Sequence, residues 1–197
     1  MPEILHSKSY NFTYHPSSSP FTASSEEYIA KHPSANYNYL ASGALVFDDS
    51  NSSDPRVLLI QRSASDSMPG RWEIPGGGVD DDDESILHAV ARELWEEAGL
   101  TAFSIGPLVG DPHFFESRSG KRICKFNFLV ETEIIEGIMD VKLDPKEHQR
   151  FVWASEGEVR ARKVGGQELE LTTTDLEVTV LEAFRTKMKA KEMLESS

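Results

Sequence analysis

Three glutamates, Glu93, Glu96 and Glu97, fall within five residues of the stretch Ala91-Arg-Glu-Leu-Trp-Glu-Glu-Ala-Gly-Leu100. On a helix turning about 100° per residue they share one flank, because positions three and four apart are neighbours. Three carboxylates so close repel one another and raise each other's pKa unless a cation neutralises them. Oxygen-only ligands favour a hard ion such as Mg²⁺ or Mn²⁺ over zinc. A bare Glu-Glu pair on a helix is most often a solvated face, so the neighbouring sequence has to decide. Upstream stands Pro75-Gly76-Gly77-Gly78, a loop whose backbone can approach closely and offer a carbonyl to a metal or amides to a phosphate.

Written out, the pattern is Gly78, five residues, Glu84, seven residues, then Arg92-Glu93-Leu94-Trp95-Glu96-Glu97-Ala98-Gly99-Leu100. It resembles the Nudix box, Gly-x5-Glu-x7-Arg-Glu-U-x-Glu-Glu-x-Gly-U with U aliphatic, and every defined position is filled. At residue frequencies of roughly 5–7% a chance match has a probability on the order of 10⁻⁹ per starting point. The lead-in "MPGRWEIPGGGV" also resembles the Gly-x-Trp-x-x-Pro-Gly-Gly common in this family, in the manner of its MutT-like group. The resemblance implies an α/β (α+β) Nudix fold, a mixed β-sheet sandwiched between α-helices, over residues 37–195. It leaves residues 1–36 outside as an N-terminal arm lying on the domain, its first twenty or so residues mobile.

Carried over by motif, the expected ligands of Mg²⁺ (or Mn²⁺) are Glu93, Glu96, Glu97 and the main-chain carbonyl of Gly77. Glu93 is also expected to orient or deprotonate water, Arg92 to orient a box glutamate, and Glu84, with Gly78 and Gly99, to support the loop–helix geometry. The implied activity is Mg²⁺-dependent hydrolysis of a pyrophosphate linkage in a nucleoside diphosphate joined to another moiety: a nucleoside triphosphate, a nucleotide sugar, ADP-ribose or a dinucleoside polyphosphate. Splitting such a bond needs charge neutralised on two phosphates and water lined up on phosphorus, with no nucleophilic Ser or Cys. The alternatives are a non-nucleotide diphosphate of prenyl or inositol type, or a binding module without catalysis. Such modules usually lose box glutamates, and here all are kept.

Many relatives draw one more acid from a loop after the box, and "LDPKEHQRFVW" offers Glu147, with His148 as the other candidate base. Arg62 and Arg71 are the expected phosphate contacts; Lys121 and Arg122 read better as solvated. Trp72, Trp95 and Trp153 are assigned to packing, with Trp95 on the flank away from the glutamates. Phe114 and Phe115 are assigned to the core ahead of a pocket wall. Asp80–Asp83 reads as a solvated turn that adds negative potential, and Cys124 as a buried small hydrophobe.

Local patterns define the elements that carry these residues. Leu87, Val90, Ala91, Leu94 and Ala98 recur at helical spacing over 85–98, and Gly99 ends that helix. Leu40–Phe47, Arg56–Arg62, Trp72–Ile74, Ala102–Val109, Asp111–Glu116, Arg122–Glu131 and Gln149–Ala154 read as extended, with a hairpin tip at Ser117–Lys121. Ser24–Lys31 predicts a short capped helix, and Ser155-Glu-Gly-Glu158 a capping box. The last helix is expected from Thr173 or Thr174 to about Leu194, with Leu181, Phe184 and Met188 inward.

Of 197 residues, 20 are Lys or Arg and 33 Asp or Glu, a net charge of −13 that argues against long nucleic acid but not against a metal–phosphate complex. No apolar run approaches the roughly 18–20 residues of a membrane span. The N-terminus lacks the pattern of a secretory signal, and the single cysteine fits a reducing compartment. The expected setting is cytoplasmic, with monomer and homodimer both open.

Overall fold

The computed structural model describes residues 10–51, 53–134 and 139–195. Its strands, in chain order, are β1 Thr13–Tyr14, β2 Tyr39–Asp48, β3 Arg56–Arg62, β4 Trp72–Glu73, β5 Ala102–Leu108, β6 His113–Glu116, β7 Arg122–Thr132, β8 His148–Ser155, β9 Lys163–Val164 and β10 Gln167–Glu168. The α-helices are α1 Ser25–Ala30, α2 Ile86–Ala98, α3 Glu156–Ala161 and α4 Thr174–Glu195.

The main sheet runs β1-β5-β7-β2-β3-β4, with β6 added to β7 and β8 to β3. It is mixed: β2 runs parallel to β7 and β1 parallel to β5, while the other pairings are antiparallel. One face packs on α2 through Ile86, Leu87, Val90, Ala91, Leu94 and Ala98; the other packs on α3 and α4 through Val159, Leu176, Val180, Ala183 and Phe184. Each such side chain, fully buried, stabilises the fold by about 1.5–3 kcal/mol where it is Leu, Ile, Val or Phe. The result is the expected mixed sheet between helical layers.

Strand β2 is shared in a way that shapes the site. Through Val46 it pairs with β7, and only Phe47 and Asp48 pair with β3. Its remaining edge is closed by the glycine loop: Ser42 N–H donates to Gly77 O, Ala44 N–H to Pro75 O, and Val79 N–H to Leu40 O. The loop is therefore held by the ladder at alternate residues.

Helix α2 is fixed at both ends. Ser85 caps it by accepting from His88 N–H, and Gly99, at φ 67, closes it by donating to Trp95 O. The arm adds a further restraint that sequence patterning did not reveal. Thr13 and Tyr14 pair with Ser104 and Ile105, Phe21 is buried between Phe126 and Phe128, and Ala23 O accepts from Ile86 N–H. Residues 10–23 of the stretch expected to be mobile are thus built into the fold, while residues 1–9 of it lie outside the described residues. Two further expectations differ. Met188 is exposed on α4, whereas Phe184 is buried, and Phe114 and Phe115 are exposed on the short outer strand β6. The two rings, adjacent on the strand, point to opposite faces of the sheet, and neither face is covered at β6. The capping box at Ser155–Glu158 forms as expected.

Candidate functional site

Glu93, Glu96 and Glu97, Gly76 and Gly77, Arg62, Trp95, Asp144 and Glu147 line one cavity of about 650 Å³. Helix α2 supplies the acids because its apolar positions are consumed by the sheet, turning Glu93 and Glu97 toward the glycine loop. Gly76 N–H donates to Glu97 Oε2 at 2.6 Å. A Cβ on Gly77 would lie 2.6 Å from Glu93 Oε1, so only glycine lets that carboxylate approach the loop. The Gly77 carbonyl, the expected ligand, is turned to β2 and accepts from Ser42 N–H. Alternate residues of an extended segment present their N–H and C=O to opposite edges. Pro75 and Gly77 turn their carbonyls to β2 in this way, and between them the Gly76 N–H points at Glu97.

Burial makes the cluster electrostatically strained. Desolvation above all, with the charges of Glu73 and Glu93, pushes the Glu97 carboxyl up to about 9 against the pull of the Gly76 N–H. Glu93 is also raised, chiefly by burial, against the pull of Arg92. Glu96 stays about half exposed. Carboxylates driven toward protonation by burial and by one another are the donor set that a hard divalent cation suits. Glu97, Glu147 and His148 offer ligand atoms that all lie within 4.8 Å of one another.

Arg92 binds Glu93 at 2.8 Å, Glu96 at 3.0 Å and Gly78 O at 2.9 Å. Its strongest hold is a two-point pair with Asp83, both contacts at 2.9 Å. Asp83 is buried and also accepts from Asp80 N–H, so it is not part of a solvated turn. It ties the loop to the helix, whereas Glu84, expected to do so, is 77% exposed and pairs with His88 at 3.4 Å. Box spacing identified Glu84, and nothing in the run of four aspartates marked the last one.

Behind Glu97 lies a second buried group that sequence reasoning missed. Glu73 accepts from Arg62 at 2.6 Å and from His148 Nε2 at 3.1 Å, and His148 Nε2 is also 3.9 Å from Glu97 Oε1. Burial acts to raise the Glu73 carboxyl, but His148 and Arg62 hold it below the ordinary value. An ionised carboxylate only accepts, so Nε2 carries the hydrogen. His148 is 2% exposed, inside the fold rather than on a loop surface.

The two expected phosphate contacts fare differently. Arg62 reaches the cavity wall, yet Glu73 and Asp66 both hold its guanidinium. Arg71 pairs with Glu170 and is not among the residues lining the cavity. Lys121 lies over the Tyr39 ring and Arg122 binds Asn36, both at the exposed hairpin. Trp72 is fully buried, whereas Trp95 is 41% exposed and contributes to the cavity rim, contrary to its expected position. Cys124 is buried, which pushes its thiol up to about 12 and leaves it inert.

Comparison with known proteins agrees with this geometry. The NUDIX domain model matches residues 38–174, and the chain belongs to the Nudix hydrolase family, whose members hydrolyse acid anhydrides. A CTP pyrophosphohydrolase of Escherichia coli (strain K12) is 32% identical over 131 residues, covering 66% of this chain and 83% of that protein. Diphosphoinositol polyphosphate phosphohydrolase 2 of Rattus norvegicus is 37% identical over 83 residues, 42% of each chain. The crystal structure of a MutT protein from Methanosarcina mazei Go1 superposes with a TM-score of 0.56 at 27% identity, covering 79% of this chain and 99% of that one. Among the described residues no helix is long and apolar enough to cross a membrane.

Proposed function

We propose that the protein is a Mg²⁺-dependent cytoplasmic hydrolase, tolerant of Mn²⁺, that cleaves the pyrophosphate linkage of a nucleoside triphosphate by attack of water on phosphorus. The observation that carries this reading is the convergence of Glu93, Glu96, Glu97 and Glu147 on one cavity beside the glycine loop. The likeness to a CTP pyrophosphohydrolase over most of that protein's length makes CTP and dCTP the first substrates to test.

Glu97, Glu93 and Glu96 hold the metal in this reading, with Glu147 close enough to join them, while His148 stays bound to Glu73. What a divalent ion supplies when bound is neutralisation of the charge on two phosphates. The chain's own residues do the rest. Arg92 fixes the rotamers of Glu93 and Glu96 by pairing with both. Glu147, exposed on the cavity wall, accepts the proton of the attacking water. Arg62 stays clamped by Glu73 and Asp66 and serves as wall charge rather than as a mobile phosphate anchor.

The test is a panel of CTP, dCTP, other nucleoside triphosphates, ADP-ribose, a dinucleoside polyphosphate and a diphosphoinositol phosphate, each with Mg²⁺. The expected result is CMP and pyrophosphate from CTP, with Glu147→Gln slower by about 10²–10⁴-fold, as for loss of a general base. Turnover confined to the diphosphoinositol compound would favour the inositol-type alternative, for which the rat relative speaks. No hydrolysis of any member would refute both.

A further inference from the structure

Arg62 and Arg71 are both paired with acids, which leaves room for a phosphate-binding cation on another element. Lys125 sits on β7, opposite Ala41 of β2 and His113 of β6. It is half-buried and makes no ion pair or hydrogen bond among the described residues. Its neighbour on the same strand face, Asn127, stands opposite Gly43.

Gly43 is what gives Lys125 its reach. A Cβ there would fall 2.4 Å from Asn127 Oδ1 and 3.1 Å from Lys125 Cε, so the lysine stem lies across the space a side chain would fill. On its other side Gly43 abuts the glycine loop: a Cβ on Gly76 would fall 2.6 Å from Gly43 Cα. From β7 the path therefore runs over Gly43 to Gly76, whose N–H holds Glu97. The lysine charge acts on both Glu97 and Glu73, which places it within electrostatic range of the acid cluster. Beneath it, both polar atoms of the Asn127 side chain are buried without a hydrogen-bond partner among the described residues. Native structures rarely leave a buried amide unsatisfied, and such an amide points to a ligand or an ordered water.

We propose that Lys125, laid over Gly43, is the substrate-binding cation of this site: its ammonium donates to a phosphate oxygen on the nucleoside side of the scissile linkage, with Asn127 forming the polar floor. The proposal rests on the hydrolase reading above and deepens it. Lys125 is not among the residues lining the cavity, so it serves the part of the substrate that extends beyond Gly76.

The experiment titrates α,β-methylene-CTP, and in parallel imidodiphosphate, into the full-length protein with Mg²⁺ by calorimetry. A charge-assisted hydrogen bond lost from a phosphate predicts binding weaker by about 10–100-fold in Lys125→Met, largely restored in Lys125→Arg. Mn²⁺ binding without nucleotide, followed by electron paramagnetic resonance, is expected to be unchanged or tighter in Lys125→Met, because a nearby positive charge has been removed. A lysine that acted only by supporting the carboxylates would instead lose Mn²⁺ and nucleotide affinity together. That parallel loss, or wild-type-like binding of both probes, overturns the proposal. If Lys125→Met does not fold, Lys125→Gln, which keeps a polar head on a shorter stem but no charge, is read in the same way, with the same loss of affinity expected. Wild-type binding of imidodiphosphate but not of the CTP analogue counts against the nucleotide reading, while the imidodiphosphate ratio still decides Lys125.

Discussion

Replacing Glu97 by glutamine is expected to stabilise the metal-free fold while abolishing turnover. Glu97 is 8% exposed, with Glu73 and Glu93 nearby, and its folded-state pKa is raised from 4.5 to about 9. A group raised in this way contributes its stability fully below pH 4.5 and loses it progressively as the pH climbs toward 9. Each pH unit in that window costs about 1.36 kcal/mol, so holding the proton on this buried side chain costs at most about 4 kcal/mol by pH 7.5. Glutamine keeps the acceptor for Gly76 N–H and carries no charge. For a chain of this size, with a shift of roughly 2–4 °C per kcal/mol, Glu97→Gln should melt about 10 °C higher than wild type in chelator at pH 7.5. The gap should close near pH 4.5–5 and narrow when Mg²⁺ is added to wild type, since the ion relieves the same strain. Differential scanning calorimetry at pH 5, 7.5 and 8.5, with and without Mg²⁺, reads all three. Equal melting temperatures at pH 7.5 in chelator, or an offset independent of pH, would refute the argument that burial strains this carboxylate.

Other outcomes follow from the same contacts. Asp83→Ala should cost about 3 kcal/mol in urea denaturation, the low end for breaking a buried pair because Arg92 keeps Glu93 and Glu96. Glu84→Gln, at a 77% exposed side chain, should stay within about 0.5 kcal/mol of wild type in the same experiment. Phe21→Ala should cost about 3 kcal/mol or more, measured by the denaturation midpoint, since the ring is 7% exposed and packed on Phe126 and Phe128.

Much of the site could be read without coordinates because its information is local. The helix carrying Glu93, Glu96 and Glu97 announces itself by apolar spacing, by Ser85 before it and by Gly99 after it, and helical geometry then places the acids on one flank. Strand boundaries came close for the same reason: alternation and turn residues act over a few positions. The lead-in glycines were recognisable, yet which carbonyl faces the acids depends on how the loop registers against β2, a pairing across some 35 residues of sequence.

What tertiary structure alone decided are the partnerships between distant residues. Arg62 reads in sequence as a phosphate contact, and only the fold brings Glu73, eleven positions on, to hold it. His148 looked like a loop residue until Glu73, 75 positions away, drew it inside. Asp83 was one of four identical acids until Arg92, nine positions later, singled it out. Residue type and spacing determined that this chain would gather carboxylates for a metal, since a helix repeats every few residues. Only packing decided which charges would already be neutralised, because charges pair by distance in space, and the chain must close on itself before those distances exist.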